Sequence, residues 1–355
     1  MSALGDCATE ATLFRCTPLL GLLACSEYDL AKFDGVDVFY QDPPAEVDVL
    51  LVVDNSCSMA PFQEKLASEF DGFVSFFTEA KVNYQIGVVT TAVAPSVAVP
   101  GVCPQAQIDA IPPVGELVQG VVLTADTPKA DEVFAELVSV GTCGSGSEMG
   151  LEASWVALTE KADGANAGFL RESAMLSVLY VSDEQDSSPS AVHTYLNGFQ
   201  TQVKDPAIRG SFNASGFVVT SVDKCLGEQA NFAHVGSRYL EMIGETKGVT
   251  ADICADDYSA KITELSLKAA RLQDTFYLSK EPDTSTLLVE VDGVEVPCSS
   301  GRYTFERVED PEGGAEDVPA IVFNHSELPP SGATVLVSYY QGVGEASEFC
   351  PDEGV

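Results

Sequence analysis

Val47-Asp48-Val49-Leu50-Leu51-Val52-Val53-Asp54-Asn55-Ser56-Cys57-Ser58 is the stretch on which the fold turns. Its first seven residues are apolar apart from Asp48. An apolar run without alternation reads as a strand buried on both faces, as in a parallel sheet. A carboxylate and two hydroxyls follow at once, so they arrive at the strand's carboxyl end. Open α/β sheets place their ligands at that edge.

Outward from this strand the pattern alternates. Pro61 precedes Phe62, Leu66, Phe70, Phe73 and Phe77, which repeat at the spacing of one amphipathic helix with proline in its first turn. Tyr84 to Thr91 predicts the next strand, and residues 92–113 a long loop. Val118 to Leu123 reads as an edge strand and Asp131 to Val138 as a short helix. The Gly/Ser loop Gly141 to Gly150 leads into a helix marked by Leu151, Trp155, Leu158 and Ala162. Met175 to Val181 predicts a buried strand ending in Ser182-Asp183-Glu184, and Phe217 to Val222 another strand. Helices are expected at Tyr239 to Thr246 and along Ile262, Leu265, Ala269 and Leu272. Strands alternating with helices predict an α/β domain with a doubly wound, mostly parallel sheet over residues 47–280.

The tail reads differently. Asp292-Gly293 lies between two apolar runs and signals a two-residue hairpin. Arg302 to Arg307, Ala320 to Phe323 and Thr334 to Tyr340 are further strands. Residues 281–355 therefore predict a small all-β, sandwich-like domain.

Fifty-four acidic residues face eighteen basic ones, a formal net charge of −36. Such a surface repels nucleic acid, which is held by Lys and Arg neutralising phosphates, and it disfavours anionic lipid heads. It suits a protein in contact with divalent cations or salt. Ten cysteines, with no paired C-x-x-C sets, point to disulfides rather than zinc and to a compartment outside the cytoplasm. The pairs suggested by proximity are Cys103 with Cys143, Cys225 with Cys254, and Cys298 with Cys350. Cys57 is left over within the opening motif.

Near the N-terminus a short apolar stretch ends at Leu22-Leu23-Ala24-Cys25, which resembles the bacterial lipobox. The resemblance implies a signal peptide over residues 1–24, which would carry away Cys7 and Cys16, and a lipidated Cys25. Residues 25–46, acidic and with Pro43-Pro44, then read as a tether. The expected location is the bacterial cell envelope, as an outer-membrane or surface lipoprotein touching the membrane only through its lipid.

Three loops are expected at the ligand edge. They carry Asp54, Ser56 and Ser58, then Ser145, then Asp183. Two carboxylates and three hydroxyls are hard oxygen donors, suited to Mg²⁺ first and to Ca²⁺ or Mn²⁺. The plain alternatives are a turn or helix-cap role for Asp54 and an ordinary loop role for Ser145. Glu184 and Asp186 read as a solvated acidic loop, with a second cation site as the alternative.

An apolar strand followed by D-x-S-x-S, then a strand ending in Asp, resembles the von Willebrand factor A domain. The family's loop pattern T-x-T-x-x-G-[IL] compares with Ser145-Gly146-Ser147-Glu148-Met149-Gly150-Leu151, with Ser for Thr at Ser145 and with Thr142 and Ser147 close by. The resemblance implies a metal-ion-dependent adhesion site. Ser56 and Ser58 ligate the cation, Asp54 and Asp183 act directly or through water, and a partner protein's acidic residue fills the open position. The function so implied is protein binding, not catalysis.

Enzyme signatures are missing from the sequence. His193, His234 and His325 share no motif spacing with a nucleophile, and there is no G-x-S-x-G elbow, P-loop or dinucleotide fingerprint. A Mg²⁺-dependent hydrolase or phosphatase with Asp54 as nucleophile is the enzymatic alternative, although Ser56 stands where such enzymes carry a second aspartate. A structural envelope protein with a stabilising metal is the third reading.

Overall fold

The structure is a computed structural model and describes residues 33–41, 46–69, 71–93, 102–204, 211–227, 229–310, 317–324 and 327–342. The expected signal peptide, Cys25 and Cys350 lie outside these residues.

Strand β1, Gly35–Tyr40, belongs to the tail's architecture. Strand β2, Val47–Val53, is buried along its whole length. It pairs in parallel with β3, Tyr84–Thr90, on one side and with β5, Met175–Ser182, on the other. Between them in sequence, β4, Leu123–Thr124, caps the edge antiparallel to β3. Strands β6, Phe212–Val218, and β7, Thr250–Asp252, extend the other side in parallel. The order is β4-β3-β2-β5-β6-β7.

Because β2 is central, its alternate residues feed two separate cores. Val47, Val49, Leu51 and Val53 pack against Phe62, Phe73, Phe77, Phe134 and Leu265 on one face. These come from helices α1, Ala60–Glu69, α2, Asp71–Glu79, α4, Ala130–Val138, and α8, Ser259–Ala270; the one-turn α3, Gln105–Ile108, lies in the long loop. Leu50 and Val52 pack on the other face against Leu151, Tyr195 and Tyr239. Those belong to α5, Gly150–Leu158, α6, Val192–Gly198, and α7, Ser237–Glu245. The mostly parallel six-stranded sheet thus has helices on both faces.

Several expectations shift. The Phe62 to Phe77 pattern forms two helices, not one. The edge strand is confined to Leu123–Thr124, with a 3-10 turn at Val118–Gly120 before it. Strand β6 starts five residues earlier than its apolar signal. Asn213 and Ser215 look like loop residues but are buried and satisfied. Ser215 donates to Asn213 Oδ1 at 3.1 Å and accepts Val249 N–H at 3.0 Å.

The tail forms two antiparallel sheets around one core of Phe276, Val289, Phe305, Ile321, Phe323 and Val337. One sheet runs β1-β13-β9-β10, with β9, Leu288–Val291, β10, Val294–Glu295, and β13, Thr334–Tyr339. The hairpin at Asp292-Gly293 is present, with Val294 opposite Val291. The other sheet runs β11-β12-β8, with β8, Thr275–Tyr277, β11, Tyr303–Val308, and β12, Val318–Phe323.

Two expected boundaries are corrected here. The tether contains β1, paired with β13 along its whole length. Its apolar Val36, Val38 and Tyr40 face outward while Asp37 faces inward, where it accepts the Tyr339 hydroxyl at 2.6 Å. This inverted polarity hid the strand. The β domain also begins before residue 281, because β8 pairs with β12. The α/β domain is therefore inserted between the first and second strands of the sandwich. Gln41 ties the two crossings together. Its amide donates to Gln273 O at 2.7 Å and accepts Gln273 N–H at 3.0 Å.

Candidate metal centre

The strand register sets the site. Val53 lies opposite Thr90 on β3 and Val181 on β5. Asp54 and Thr91 therefore leave the sheet side by side, next to Ser182, the last residue of β5. Thr91 N–H donates to Val53 O at 3.2 Å, and Asp54 N–H to Val181 O at 2.9 Å. The chain turns one way from β2 to β3 and the other way to β5. Their carboxyl ends mark the reversal point where such sheets open a crevice.

Asp54, Ser56, Ser58 and Asp183 come together there. Asp54 Oδ1 accepts the Ser56 N–H at 2.8 Å, and Oδ2 accepts the Ser182 hydroxyl at 2.6 Å. The hydroxyls of Ser56 and Ser58 stand 3.1 Å apart, and Ser58 donates to Asp183 Oδ1 at 3.1 Å. Asp183 Oδ2 is buried with no hydrogen-bond partner. Asp54 accepts a turn-type hydrogen bond from the Ser56 N–H, as its turn reading expects.

The Gly/Ser loop does reach this edge. Gly144 N–H donates to Asn55 O at 2.7 Å. A Cβ on Gly144 would strike the Asn55 side chain, so only glycine fits. Gln63, from α1, donates to both Asp54 O and Gly141 O at 2.9 Å. Ser145 is placed differently from the other candidates. Its hydroxyl accepts the Ser147 N–H at 3.1 Å, closing a local turn. Among the described residues no hydrogen bond joins it to Asp54, Ser56, Ser58 or Asp183.

Glu148, from the same loop, is the residue that sequence reasoning missed. It is fully buried, and Thr91 donates to its Oε2. Its Oε1 has no partner. Burial first, then the adjacent Asp54 charge, hold its carboxyl far above the ordinary range. Asp54 is raised by burial, opposed by hydrogen bonds from Ser182 and Ser56. Asp183 is pushed up to about 6 by burial and then by the Asp54 charge.

Five acidic side chains are buried among the described residues: Asp48, Asp54, Glu148, Asp183 and Asp186. Asp48 pairs with Arg171 at 2.8 Å, and Asp186 with Arg238 at 2.8 Å. Asp186 is thus a structural ion pair, not part of a solvated loop as expected. Among the described residues no lysine or arginine bridges Asp54, Glu148 or Asp183. Buried charge without a partner is costly. Hydroxyls and carboxylates with an orphaned oxygen suit a hard divalent cation.

Cys103 is bonded to Cys143 and Cys225 to Cys254. Cys298 is disulfide-bonded as well. Cys57 is free and exposed. Cys225, Asp252 and Cys254 cluster at metal-binding spacing, but the disulfide consumes both sulfurs. No helix among the described residues is long and apolar enough to cross a membrane.

No family model and no curated protein matches the chain. Among solved structures it is similar to proximal thread matrix protein 1 from the mussel byssus, at 11% identity and a TM-score of 0.39, covering 68% of this chain and 51% of that one. It is also similar to the pilus adhesin SpaC from Lactobacillus rhamnosus GG, at 11% identity and a TM-score of 0.41, covering 86% of this chain and 41% of that one. The chain spans about half the length of the first and less than half of the second.

Proposed function

We propose that residues 47 to about 273 form a von Willebrand factor A type domain whose cation site binds a partner protein. The observation that carries this reading is the contrast among buried carboxyls. Asp48 and Asp186 each have an arginine, whereas Asp54, Glu148 and Asp183 have none. A divalent cation is the counter-charge that the pair Asp54 and Asp183 calls for, with Glu148 kept neutral by burial. Ser56 and Ser58 would hold it through their hydroxyls, with Asp54 and Asp183 direct or through water. The ion would supply a positive centre to which a partner's carboxylate can bind. In a chain of net charge −36, an acidic ligand finds attraction only where a cation reverses the local field.

Mg²⁺ is the first choice because few protein ligands leave room for the waters it keeps. Ca²⁺ and Mn²⁺ are the alternatives. The disulfides support an oxidising compartment outside the cytoplasm. A lipid anchor at Cys25 on a bacterial envelope is the finer proposal.

Titration calorimetry with Mg²⁺, Ca²⁺ and Mn²⁺ tests the site. Wild type should bind at least one of them, and Asp54→Ala and Asp183→Ala should each weaken it. Unchanged affinity in both variants would end the proposal. A metal that raises the melting temperature but leaves partner capture unchanged would favour a purely structural site.

A further inference from the structure

Nine large apolar side chains are exposed among the described residues. Five lie on the sandwich. The other four, Val102, Val222, Leu226 and Phe232, all lie on loops at the carboxyl edge of the six-stranded sheet, the edge that carries the candidate metal centre. Their exposures are 62%, 44%, 75% and 54%.

These residues are not on slack loops. Val102 adjoins Cys103, which is bonded to Cys143, and Gly144 next to it donates to Asn55 O in the metal motif. Leu226 adjoins Cys225, which is bonded to Cys254 at the end of β7. The loop carrying Val222, Leu226 and Phe232 then returns to the site, where His234 N–H donates to Asp183 O at 2.8 Å. Both fully described disulfides therefore hold an exposed apolar residue in place beside the same edge. Fixing such groups in advance lowers the entropy lost on binding.

We propose that these four side chains and the cation site form one docking surface, and that its occupant is a protein segment presenting a carboxylate flanked by large apolar side chains. This rests on the cation-site reading above. Charge explains why a carboxylate alone is a poor ligand here. At net charge −36 the protein repels an acidic segment over a screening distance of about 8 Å at physiological salt. The cation attracts one group locally. Short-range apolar burial is then the force that can hold the rest of the segment against that field.

The probes are two labelled synthetic peptides. One has a single aspartate between leucine and phenylalanine residues, and its match has serines in those places. Binding is read by fluorescence anisotropy on the full chain with saturating Mg²⁺. The apolar peptide should bind about tenfold tighter or better. That advantage should collapse in the double variant Leu226→Ser, Phe232→Ser, while calorimetric Mg²⁺ affinity and the melting curve stay unchanged. Equal binding of the two peptides, an advantage that survives the double variant, or no binding of either to Mg²⁺-loaded protein would overturn the docking surface and leave the cation site standing. Absence of Mg²⁺ binding by wild type would remove both.

Discussion

Asp183→Asn isolates the electrostatic cost of burying the Asp183 carboxylate. Oδ1 still accepts the Ser58 hydroxyl, while an amide replaces the orphaned Oδ2 and the charge is removed. In the folded chain Asp183 titrates at about 6, raised from an ordinary 3.8. The folded state therefore holds the proton more tightly than the unfolded state. The stability from this group is complete below about pH 4 and is lost as pH rises through about 6. At about 1.4 kcal/mol for each tenfold change in proton affinity, the whole effect is about 3 kcal/mol. Between about pH 5 and pH 7.5 it amounts to about 1.4 kcal/mol. The assay is urea denaturation in a chelator at those two pH values. Acidification relieves the repulsion of the whole acidic surface in both proteins, so only the difference between them counts. Wild type should gain about 1.4 kcal/mol more than the variant on going to the lower pH. The cost of burying an amide is the same at both pH values and cancels. A difference that stays constant with pH, or that changes in the opposite sense, refutes an uncompensated Asp183. Adding Mg²⁺ at about a hundred times its Kd should stabilise wild type by about 2.7 kcal/mol, and the variant by less.

Gly144→Ala places a Cβ against the Asn55 side chain and 2.7 Å from its carbonyl oxygen, so denaturation should show a loss of about 1–3 kcal/mol and calorimetry a weaker cation site. Arg171→Met leaves Asp48 buried without its partner and should cost about 3–5 kcal/mol in the same denaturation assay; a loss below about 1 kcal/mol would mean the pair is dispensable. Glu148→Gln substitutes an amide for a carboxyl that burial keeps protonated, so metal-free stability at neutral pH should change by less than about 1 kcal/mol. A loss of several kcal/mol there would show that Glu148 is ionised before any cation binds.

Where apolar periodicity and burial coincide, the sequence was sufficient. Strand β2 is buried on both faces because its residues are apolar at both parities, and that alone put Asp54 at the sheet's carboxyl edge. The same logic found β5 and Asp183. It failed where polarity and burial part company. Strand β1 turns Val36, Val38 and Tyr40 outward and Asp37 inward, so its polarity does not mark a buried face, and its acidic surroundings read as a tether. Strand β6 buries Asn213 and Ser215, whose hydrogen bonds to residues about thirty positions away cannot be seen locally.

Glu148 escaped for a subtler reason. In the loop pattern compared with Ser145-Gly146-Ser147-Glu148-Met149-Gly150-Leu151, Glu148 stands at a position of open residue type, so the pattern points to the hydroxyls beside it. The helix begins at Gly150, so Glu148 lies in the loop, and the Ser145 hydroxyl is engaged by Ser147. The glutamate is thereby turned inward onto Thr91 and Asp54. The loop expected to deliver a third hydroxyl also delivers a third carboxyl. That changes the electrostatics of the site. A pair of aspartates is matched in charge by one divalent cation, whereas an ionised Glu148 would leave the loaded site negative and repel an acidic partner. Burial that keeps Glu148 protonated preserves the match, which is why the metal-free stability of Glu148→Gln bears on the charge of the site as well as on folding.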